Sequence, residues 1–324
     1  MKPALLGLYV LVAGLWLLEL ASGASGINLA AALADWWHNT ASVARIILFE
    51  VRLPRALLAL LVGAALASSG AALQGLLRNP LASPDMLGVS QSAALLAVCV
   101  LYFGYSRLAW FVLPLAALCG AALAVLLLLQ LTRRLASAQA LILAGIALTA
   151  LTSALTTFAL DYAPNPYALQ EVYFWMLGSV ANRSNAEVLL ALPFFGVGTA
   201  LLLSCRRCLD ALSLGEDTAA TLGYPLSQYR WRLIVGVACN VGAAVAVSGS
   251  IGFVGLIVPH VLRPLVQSQP GRLLWWSLPG GSVLVLLADV LVQHLPGTQE
   301  LQLGVLTALL GAPFFLYLLL KQRS

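Results

Sequence analysis

Lysine is almost absent from this sequence, because Lys2 and Lys321 are the only two lysines among its 324 residues. A phosphate-binding GxxxxGKS/T loop needs a lysine directly after its last glycine, and neither lysine stands in that setting. The chain therefore carries no ATP-binding loop of this kind, and any ATP hydrolysis that drives it must take place on another protein. We expect a non-enzymatic subunit without a cofactor of its own.

Hydrolase and metal-site motifs are missing as well. The sequence has no HExxH and no GxSxG, and its three histidines, His38, His260 and His294, are too scattered to predict a metal centre. The five cysteines lie in or beside apolar runs, which favours small buried side chains over a disulfide framework. Cys205 and Cys208 form a CxxC, but a single CxxC at the end of an apolar run is weak evidence for metal or redox chemistry.

Charge is scarce throughout the chain. Charged residues make up 9% of it and hydrophobic residues 61%, whereas soluble domains are about a quarter charged. The mean hydropathy is +0.95. This composition predicts an all-α, polytopic protein embedded in a lipid bilayer, and nothing in it indicates nucleic-acid binding.

Apolar runs bounded by charges or by proline and glycine clusters predict about ten membrane-spanning helices. The predicted spans are 4–20, 56–76, 88–103, 108–131, 139–160, 187–204, 233–249, 251–267, 275–293 and 303–320. The runs at 88–103 and 251–267 are short enough to be half-membrane helices packed inside the bundle. The first run resembles a signal peptide, but the amount of membrane sequence after it favours an uncleaved span.

The basic residues predict the orientation, since they favour the cytoplasmic side of short loops. With both termini in the cytoplasm, 12 of the 17 lysines and arginines fall on the cytoplasmic side and 5 on the outer side. Among those 5 are Arg52 and Arg55, so their position against the general bias needs an explanation.

One apolar run has a helix face with almost no side chains. Gly63, Ala67, Ala71 and Gly75 recur every four residues, so they share one face and allow another helix to approach closely. The predicted packing residues of this run and of its repeat are Gly63, Ala67, Gly70, Ala71, Gly75, Gly242, Ala246 and Gly249.

The repeat consists of residues 63–70 and 242–249, which share six identities in eight positions. The same offset of 179 places Pro80 on Pro259 without a gap. On the predicted topology the two copies cross the membrane in opposite directions, as the inverted repeats of transporters do. We therefore expect a duplicated chain, with halves at about 56–160 and 233–320 in one membrane domain covering 1–324.

Asp289 is the acid that the pattern places well inside a span. A carboxylate in that position is costly and is a candidate for proton coupling, but it can also pair inside the bundle near a helix end. We favour the pairing interpretation, because a proton relay usually needs a second ionisable group nearby.

The segment 212–225 differs from the spans around it, since it is short and amphipathic and lies between two arginine pairs on the predicted cytoplasmic face. It is either an ordinary interfacial helix or a docking helix for a cytoplasmic partner. Leu214 and Leu222 are the side chains available to enter a partner's groove.

Eight segments together resemble one known family, the membrane subunits of type II ABC importers for ferric siderophores, haem and cobalamin. The two specific segments are RNPLASPDMLGV at 78–89 and SGSIGFVGLIVPHVLR at 248–263. The others are RLPR at 52–55, LILAGIAL at 141–148, FWMLGS at 174–179, LSLGEDTAATLGYP at 212–225, LLAD at 286–289 and GVLTALLGAPFF at 304–315.

The resemblance implies a ten-span permease of the bacterial inner membrane. It pairs with a second copy or a paralogue, with two cytoplasmic ATPase subunits and with a periplasmic binding protein. It also implies that Arg52 and Arg55 meet glutamates of the binding protein, although ordinary interfacial anchoring is the alternative.

The resemblance implies roles for two further regions. Coupling to the ATPase falls on Leu212, Leu214, Gly215, Glu216, Thr218, Leu222 and Gly223, within about 210–224. Ser137 and Gln139 are candidates for the cytoplasmic gate. Cobalamin-type members have an arginine four residues after the LLAD aspartate, where this chain has Gln293, so a third arginine contact is missing and His294 is only a weak substitute.

The segment PLASPDMLGV resembles ferric-siderophore members of the family, including the ferric-citrate kind. It therefore favours ferric siderophores as the transported class. Cobalamin or haem transport within the same family is the alternative. A proton-coupled secondary transporter and a non-transporting membrane scaffold are the rival classes.

Overall fold

A computed structural model describes residues 2–23, 26, 28–38, 40, 42–134, 138–162, 166–295 and 301–321. Within these residues the protein is helical and has no β-strand, which confirms the all-α prediction. The fifteen α-helices are α1 (Lys2–Ala21), α2 (Leu29–Trp37), α3 (Val43–Ile46), α4 (Leu53–Leu77), α5 (Val89–Tyr102), α6 (Val112–Arg134), α7 (Ala138–Asp161), α8 (Pro166–Met176), α9 (Asn185–Ser204), α10 (Arg206–Leu212), α11 (Glu216–Thr221), α12 (Leu226–Ser248), α13 (Val254–Leu262), α14 (Pro270–His294) and α15 (Leu303–Lys321).

Seven stretches of helix in the described residues are long and apolar enough to cross a membrane. They are Pro3–Ala21, Val43–Leu77, Val112–Leu131, Ala140–Asp161, Asn185–Ser204, Leu226–Ser248 and Pro270–His294. The other three predicted spans are present as the shorter helices α5, α13 and α15. Each of the ten predicted apolar runs therefore contains a helix. The largest difference at one helix end is at α12, which begins at 226 and not at the predicted 233, and α13 covers only 254–262 of the predicted 251–267.

α5 and α13 are too short to cross a bilayer alone. With 14 and 9 residues they are about 21 Å and 14 Å long, against a hydrocarbon core of about 30 Å. The 3-10 helix before α5, Pro84–Leu87, meets the start of α13 inside the bundle, where Pro84 contacts Gly255 and Gly255 packs against Gly70 of α4. The segments before them are bonded locally, as when Asn79 accepts a hydrogen bond from the Leu81 amide at 2.9 Å.

α4 and α14 lie side by side and run in opposite directions. Arg55 near the start of α4 contacts Asp289 near the end of α14, and Gly63 contacts Gly281 midway along both helices. The last turns of α4 contact the start of α14 and α10. We call the two ends of the bundle the Arg55 end and the α10 end. About 30 Å separates them along α4, at 1.5 Å of rise per residue.

Glycines allow α4 and α14 to touch at the backbone. A Cβ at Gly63 would overlap the carbonyl oxygen of Gly281, and a Cβ at Gly281 would overlap that of Gly63. Of the other predicted packing residues, Ala67, Ala71 and Ala246 are buried, and Gly75 contacts Leu209 of α10.

The crossing of α12 with α6 is similar to the crossing of α4 with α14. Gly242 of α12 packs against Ala121 of α6, just as its repeat partner Gly63 packs against Gly281. Because α12 starts at the α10 end and α4 starts at the Arg55 end, the two repeat helices run in opposite directions. This arrangement is the one expected of an inverted repeat.

The matched positions do not all have the same local structure. Gly70 lies inside α4, whereas Gly249 ends α12 with φ of +67° against the Trp175 carbonyl. Pro80 is in a turn, whereas Pro259 is inside α13. The duplication therefore stays a prediction, supported by the paired crossings.

Several short elements were not predicted from the sequence. α2 and α8 are separate helices between spans, and a π-helical segment, Ile47–Arg52, joins α3 to α4 into one continuous stretch. The amphipathic segment after α9 is two helices, α10 and α11, joined by a turn at 213–215. Gly215 in this turn has φ of +114°, which favours glycine and interrupts a single helix.

Gly70→Ala is expected to destabilise the fold by several kcal/mol, because the added Cβ would overlap the carbonyl oxygen of Gly255 and force two backbones apart (overpacking alone typically costs about 1–3 kcal/mol). The measurement is thermal unfolding of the purified protein in detergent. Gly14→Ala in α1 is the matched control, since nothing lies within 4 Å of its Cβ position and alanine favours helix. Equal melting temperatures for the two variants would contradict the close approach.

Candidate functional site

Arg52 is buried, with 6% of its surface exposed. Its Nη1 donates hydrogen bonds to the carbonyl oxygens of Leu20 at 2.8 Å and Ala21 at 3.0 Å, and Gly23 packs against its guanidinium. These carbonyls belong to the last turn of α1, which has no intrahelical donors for them. Arg52 therefore caps α1 and links it to α4.

Arg55 forms the centre of a buried polar cluster with Asp289, Glu19 and Gln293. Its Nε and Nη2 donate to the two carboxylate oxygens of Asp289 at 2.7 Å and 3.1 Å, which is a bidentate pair. Its Nε also lies 3.7 Å from Oε1 of Glu19. The side chain of Arg55 is 13% exposed, and those of Asp289 and Glu19 are 1% and 2% exposed.

Gln293 completes this cluster. Its Nε2 donates to Glu19 Oε1 and, at 3.3 Å, to Asp289 Oδ2. The side chain that stands where cobalamin-type members have an arginine is thus a neutral donor to the two carboxylates. His294 does not join the cluster, since its Nδ1 lies 2.8 Å from the Val290 carbonyl oxygen of its own helix.

The structure pairs Asp289 inside the bundle near a helix end, which is the interpretation favoured from the sequence. Glu19 was missed, although it is an acid at the end of the first apolar run and the pattern contained that signal. The cluster joins one cation to two carboxylates at the Arg55 end. It can hold the guanidinium in place, and it can exchange one carboxylate for another from outside.

The turn between α10 and α11 lies at the opposite end of the bundle. Leu214 in the turn and Leu222 at the end of α11 are 68% and 60% exposed. Glu216 accepts a hydrogen bond from Arg230 Nη2 at 2.7 Å, which ties the start of α11 to α12. Leu212 is buried and is not available to a partner, contrary to its inclusion among the predicted coupling residues.

The remaining coupling candidates lie around this turn. Thr218 is exposed on α11, and Gly223 follows the helix with φ of +87°. The exposed part of the predicted set is therefore a turn and one short helix, which we call the coupling turn (213–223).

The two gate candidates, Ser137 and Gln139, lie at or just before the start of α7 in the sequence. Ser137 lies outside the described residues, and Gln139 falls in the first turn of α7.

A cavity of about 550 Å³ lies elsewhere, between the end of α8, the segment 250–253 and α15. Among the described residues its lining includes Met176, Ser250, Phe253 and Val305 and no charged side chain.

The CxxC does not have the properties of a reactive site. Cys205 and Cys208 are both fully buried. Burial, with a smaller contribution from Cys205, raises the pKa of the Cys208 thiol to about 11, so the thiolate that binds metals or attacks disulfides is disfavoured at neutral pH. No group of metal ligands occurs among the described residues.

Comparison with known proteins gives consistent results over almost the whole chain. The model of the FecCD transport family matches residues 10–321. The vitamin B12 import system permease protein BtuC of Salmonella typhimurium (strain LT2) is 39% identical over 318 residues, which are 98% of this chain and 94% of that protein. BtuC of Citrobacter koseri is 39% identical over 290 residues, covering 89% and 86%.

A solved structure is also similar. It is an inward-facing metal-chelate type ABC transporter, which superimposes with a TM-score of 0.88 at 32% identity. The match covers 99% of this chain and 100% of the other.

Asp289→Asn is expected to lower the free energy of unfolding by about 1–3 kcal/mol, because a mostly buried guanidinium loses its charged, bidentate partner. Thermal unfolding in detergent measures this change. Glu187→Gln is the matched control, since it also neutralises one carboxylate of an ion pair. Its partner Arg183 stands four residues earlier, just before α9, and such i, i+4 pairs are worth about 0.3–0.5 kcal/mol.

The double variant Arg55→Gln with Asp289→Asn should recover part of the loss, because it leaves no unpaired cation. An Asp289→Asn variant as stable as the original protein would show that the pair contributes nothing to folding.

Proposed function

We propose a specific role for this chain from its family. The chain belongs to the FecCD transport family of type II ABC importer permeases. We propose that it is the membrane subunit of a vitamin B12 importer. The observation that carries this proposal is the likeness to BtuC permeases, at 39% identity over 98% of the chain. The protein is accordingly a multi-pass membrane permease and not an enzyme. We further propose that both termini are cytoplasmic.

The transported class is where this proposal departs from the expectation drawn from the sequence. The relatives favour the cobalamin alternative, and the ferric-siderophore interpretation gains no support from them. The cavity beside α15 has an uncharged lining, which is compatible with a ligand without net charge such as cyanocobalamin. A ferric citrate complex, which is anionic, would be better matched by cationic side chains.

The partners follow from the same proposal. Two ATPase subunits supply the energy, because the chain has no phosphate-binding loop of its own. A second permease copy covers the apolar outward face of α7, α8 and α15, where Phe158, Tyr173 and Leu309 are each at least 60% exposed. The cavity beside α15 then becomes part of a path shared between two copies.

Docking of the binding protein falls on Arg55 more than on Arg52. Arg52 is engaged with backbone carbonyls and is buried, so its role is structural. Arg55 keeps 13% of its side chain exposed and has one long carboxylate contact, with Glu19 at 3.7 Å. A glutamate of the binding protein can replace that contact while Asp289 keeps the guanidinium oriented.

A proton-coupled carrier is the weaker candidate. Asp289 and Glu19 lie together at one end of the bundle and are engaged by Arg55 and Gln293. A proton path needs a series of ionisable groups through the membrane, whereas this cluster is confined to the Arg55 end of the bundle.

Proteoliposomes with the permease, its ATPase and the cognate periplasmic binding protein should import cyanocobalamin in the presence of ATP. Ferric citrate offered at the same concentration should not be imported, because the cavity lining offers no cation to it. Uptake of the two radiolabelled compounds is the measurement, and a hydrolysis-deficient ATPase is the control. Uptake of ferric citrate without cyanocobalamin would refute the corrinoid assignment.

Leu214→Glu combined with Leu222→Glu should reduce ATPase co-purification at least tenfold, since two exposed apolar contacts of about 1 kcal/mol or more each are replaced by charges. Gln228→Glu is the matched control, because it adds a negative charge at an exposed position just beyond the coupling turn. The proportion of ATPase subunit in the purified complex is measured by quantitative mass spectrometry. Retention in the double variant would remove the coupling turn from the ATPase contact.

A further inference from the structure

We infer that the α4–α14 pair transmits the docking state of the Arg55 end to the coupling turn, and that Asp210 is the positioning residue that joins α14 to α10. This inference rests on the proposed function. It assigns a role to a residue outside the predicted docking and coupling sets.

The contact at the α10 end is specific and charged. Asp210 of α10 accepts a hydrogen bond from the Gly271 amide at 2.7 Å and one from Gln269 Nε2 at 3.2 Å. Gly271 is in the first turn of α14, where amides lack intrahelical acceptors and the helix dipole favours a negative charge. Asp210 therefore serves as the N-terminal cap of a helix to which it does not belong.

The fit around this cap is close. A Cβ at Gly271 would come within 2.6 Å of the Asp210 carboxylate and within 2.8 Å of the Arg206 carbonyl oxygen. The neighbouring Leu209 packs against Gly75 of α4. α10 is thus held against both α4 and α14, and it cannot shift without moving one of them or breaking this cap.

Midway through the membrane, α4 and α14 are in direct backbone contact at Gly63 and Gly281. Ser282 donates to the Leu60 carbonyl oxygen at 2.9 Å beside this contact. No layer of large side chains lies between the helices there to absorb a displacement, and packed interiors have low compressibility. The two helices are therefore expected to move together.

The contact at the Arg55 end completes the route. Asp289 of α14 holds Arg55 of α4 in a bidentate pair, at the position where the binding protein is proposed to dock. From Gly271 to Asp289 the axis of α14 measures about 27 Å. A change in the carboxylate partners of Arg55 thus acts on the helix whose other end is capped by Asp210.

α9 is the rival route, because it also reaches both ends and continues directly into α10. Asn185 at its start donates to the Phe49 carbonyl oxygen at 2.9 Å. However, α9 presents most of its surface outward, whereas most of α14 is buried between other helices. Its N-terminal cap, the Ser184 and Glu187 capping box, provides a control for the loss of a helix cap.

The test uses the reconstituted permease–ATPase complex with the cognate binding protein loaded with cyanocobalamin. The readout is the ratio of binding-protein-stimulated to basal ATPase activity, which corrects for changes in assembly or basal rate. Asp210→Ala should lower this ratio by about fivefold or more, within the range of coupling effects reported for intermediate residues. Asp210→Asn should lower it less, because the amide oxygen still accepts from Gly271. Glu187→Ala should leave the ratio unchanged.

A double-mutant cycle separates a shared route from two independent defects. Distant independent sites have effects that combine multiplicatively, to within about twofold. If α14 joins the two contacts, the double variant Asp210→Ala with Asp289→Asn should lower the stimulated-to-basal ratio no further than the more severe single variant does. If Asp210→Ala is not recovered in folded form, Asp210→Asn enters the same cycle with the same expectation.

The outcomes distinguish this inference from the proposed function. A wild-type complex that neither binds an ATPase nor responds to the loaded binding protein refutes the proposed function and the inference with it. A wild-type complex that responds normally, together with an unchanged ratio in Asp210→Ala or a multiplicative cycle, overturns the inference alone. If Glu187→Ala lowers the ratio as much as Asp210→Ala does, the inference is also overturned, because the loss of any helix cap would then be enough to lower the ratio.

Discussion

The backbone contact between α4 and α14 is the constraint on which the rest of this bundle depends. Lipid gives apolar helices no hydrophobic reason to associate, so their association depends on close packing and on polar contacts. Gly63 and Gly281 allow packing at the shortest distance between the helices. Polar contacts then fix each end of the pair, with Arg55 and Asp289 at one end and Asp210 on the first turn of α14 at the other.

Burial gives the two arginines of the RLPR motif different roles. Arg52 has a role in the fold itself, since it donates hydrogen bonds to carbonyls at the end of α1 that have no intrahelical donors. Arg55 is held by acids that come from helices far apart in sequence. A charge that is buried and fully paired costs less than one left alone, and it also keeps a defined geometry for an incoming carboxylate.

The sequence was sufficient for the architecture because membrane crossing leaves a strong apolar signal in each run. It also indicated that 88–103 and 251–267 are short, and the structure has α5 and α13 there. The contacts of the site were harder to predict, because they join distant segments. Glu19 joins the polar cluster only because α1 packs against α14. Asp210 caps α14 only because α10 packs against the start of that helix. The coupling helices were predicted only as a range of about 210–224, because amphipathicity alone does not show where one helix ends and the next begins.

The short lengths of α5 and α13 have a consequence for biosynthesis. A helix of 9 or 14 residues is below the length of about 20 that inserts into a bilayer as an independent segment. Neither helix can therefore be placed in the membrane when it first leaves the ribosome. α5 packs mainly against α6 and α7, which follow it in the chain, and the contact of Pro84 with Gly255 forms only after some 170 further residues have been made. The interior of this permease is thus completed late, because the segments around α5 and α13 pack only after their partners have been synthesised.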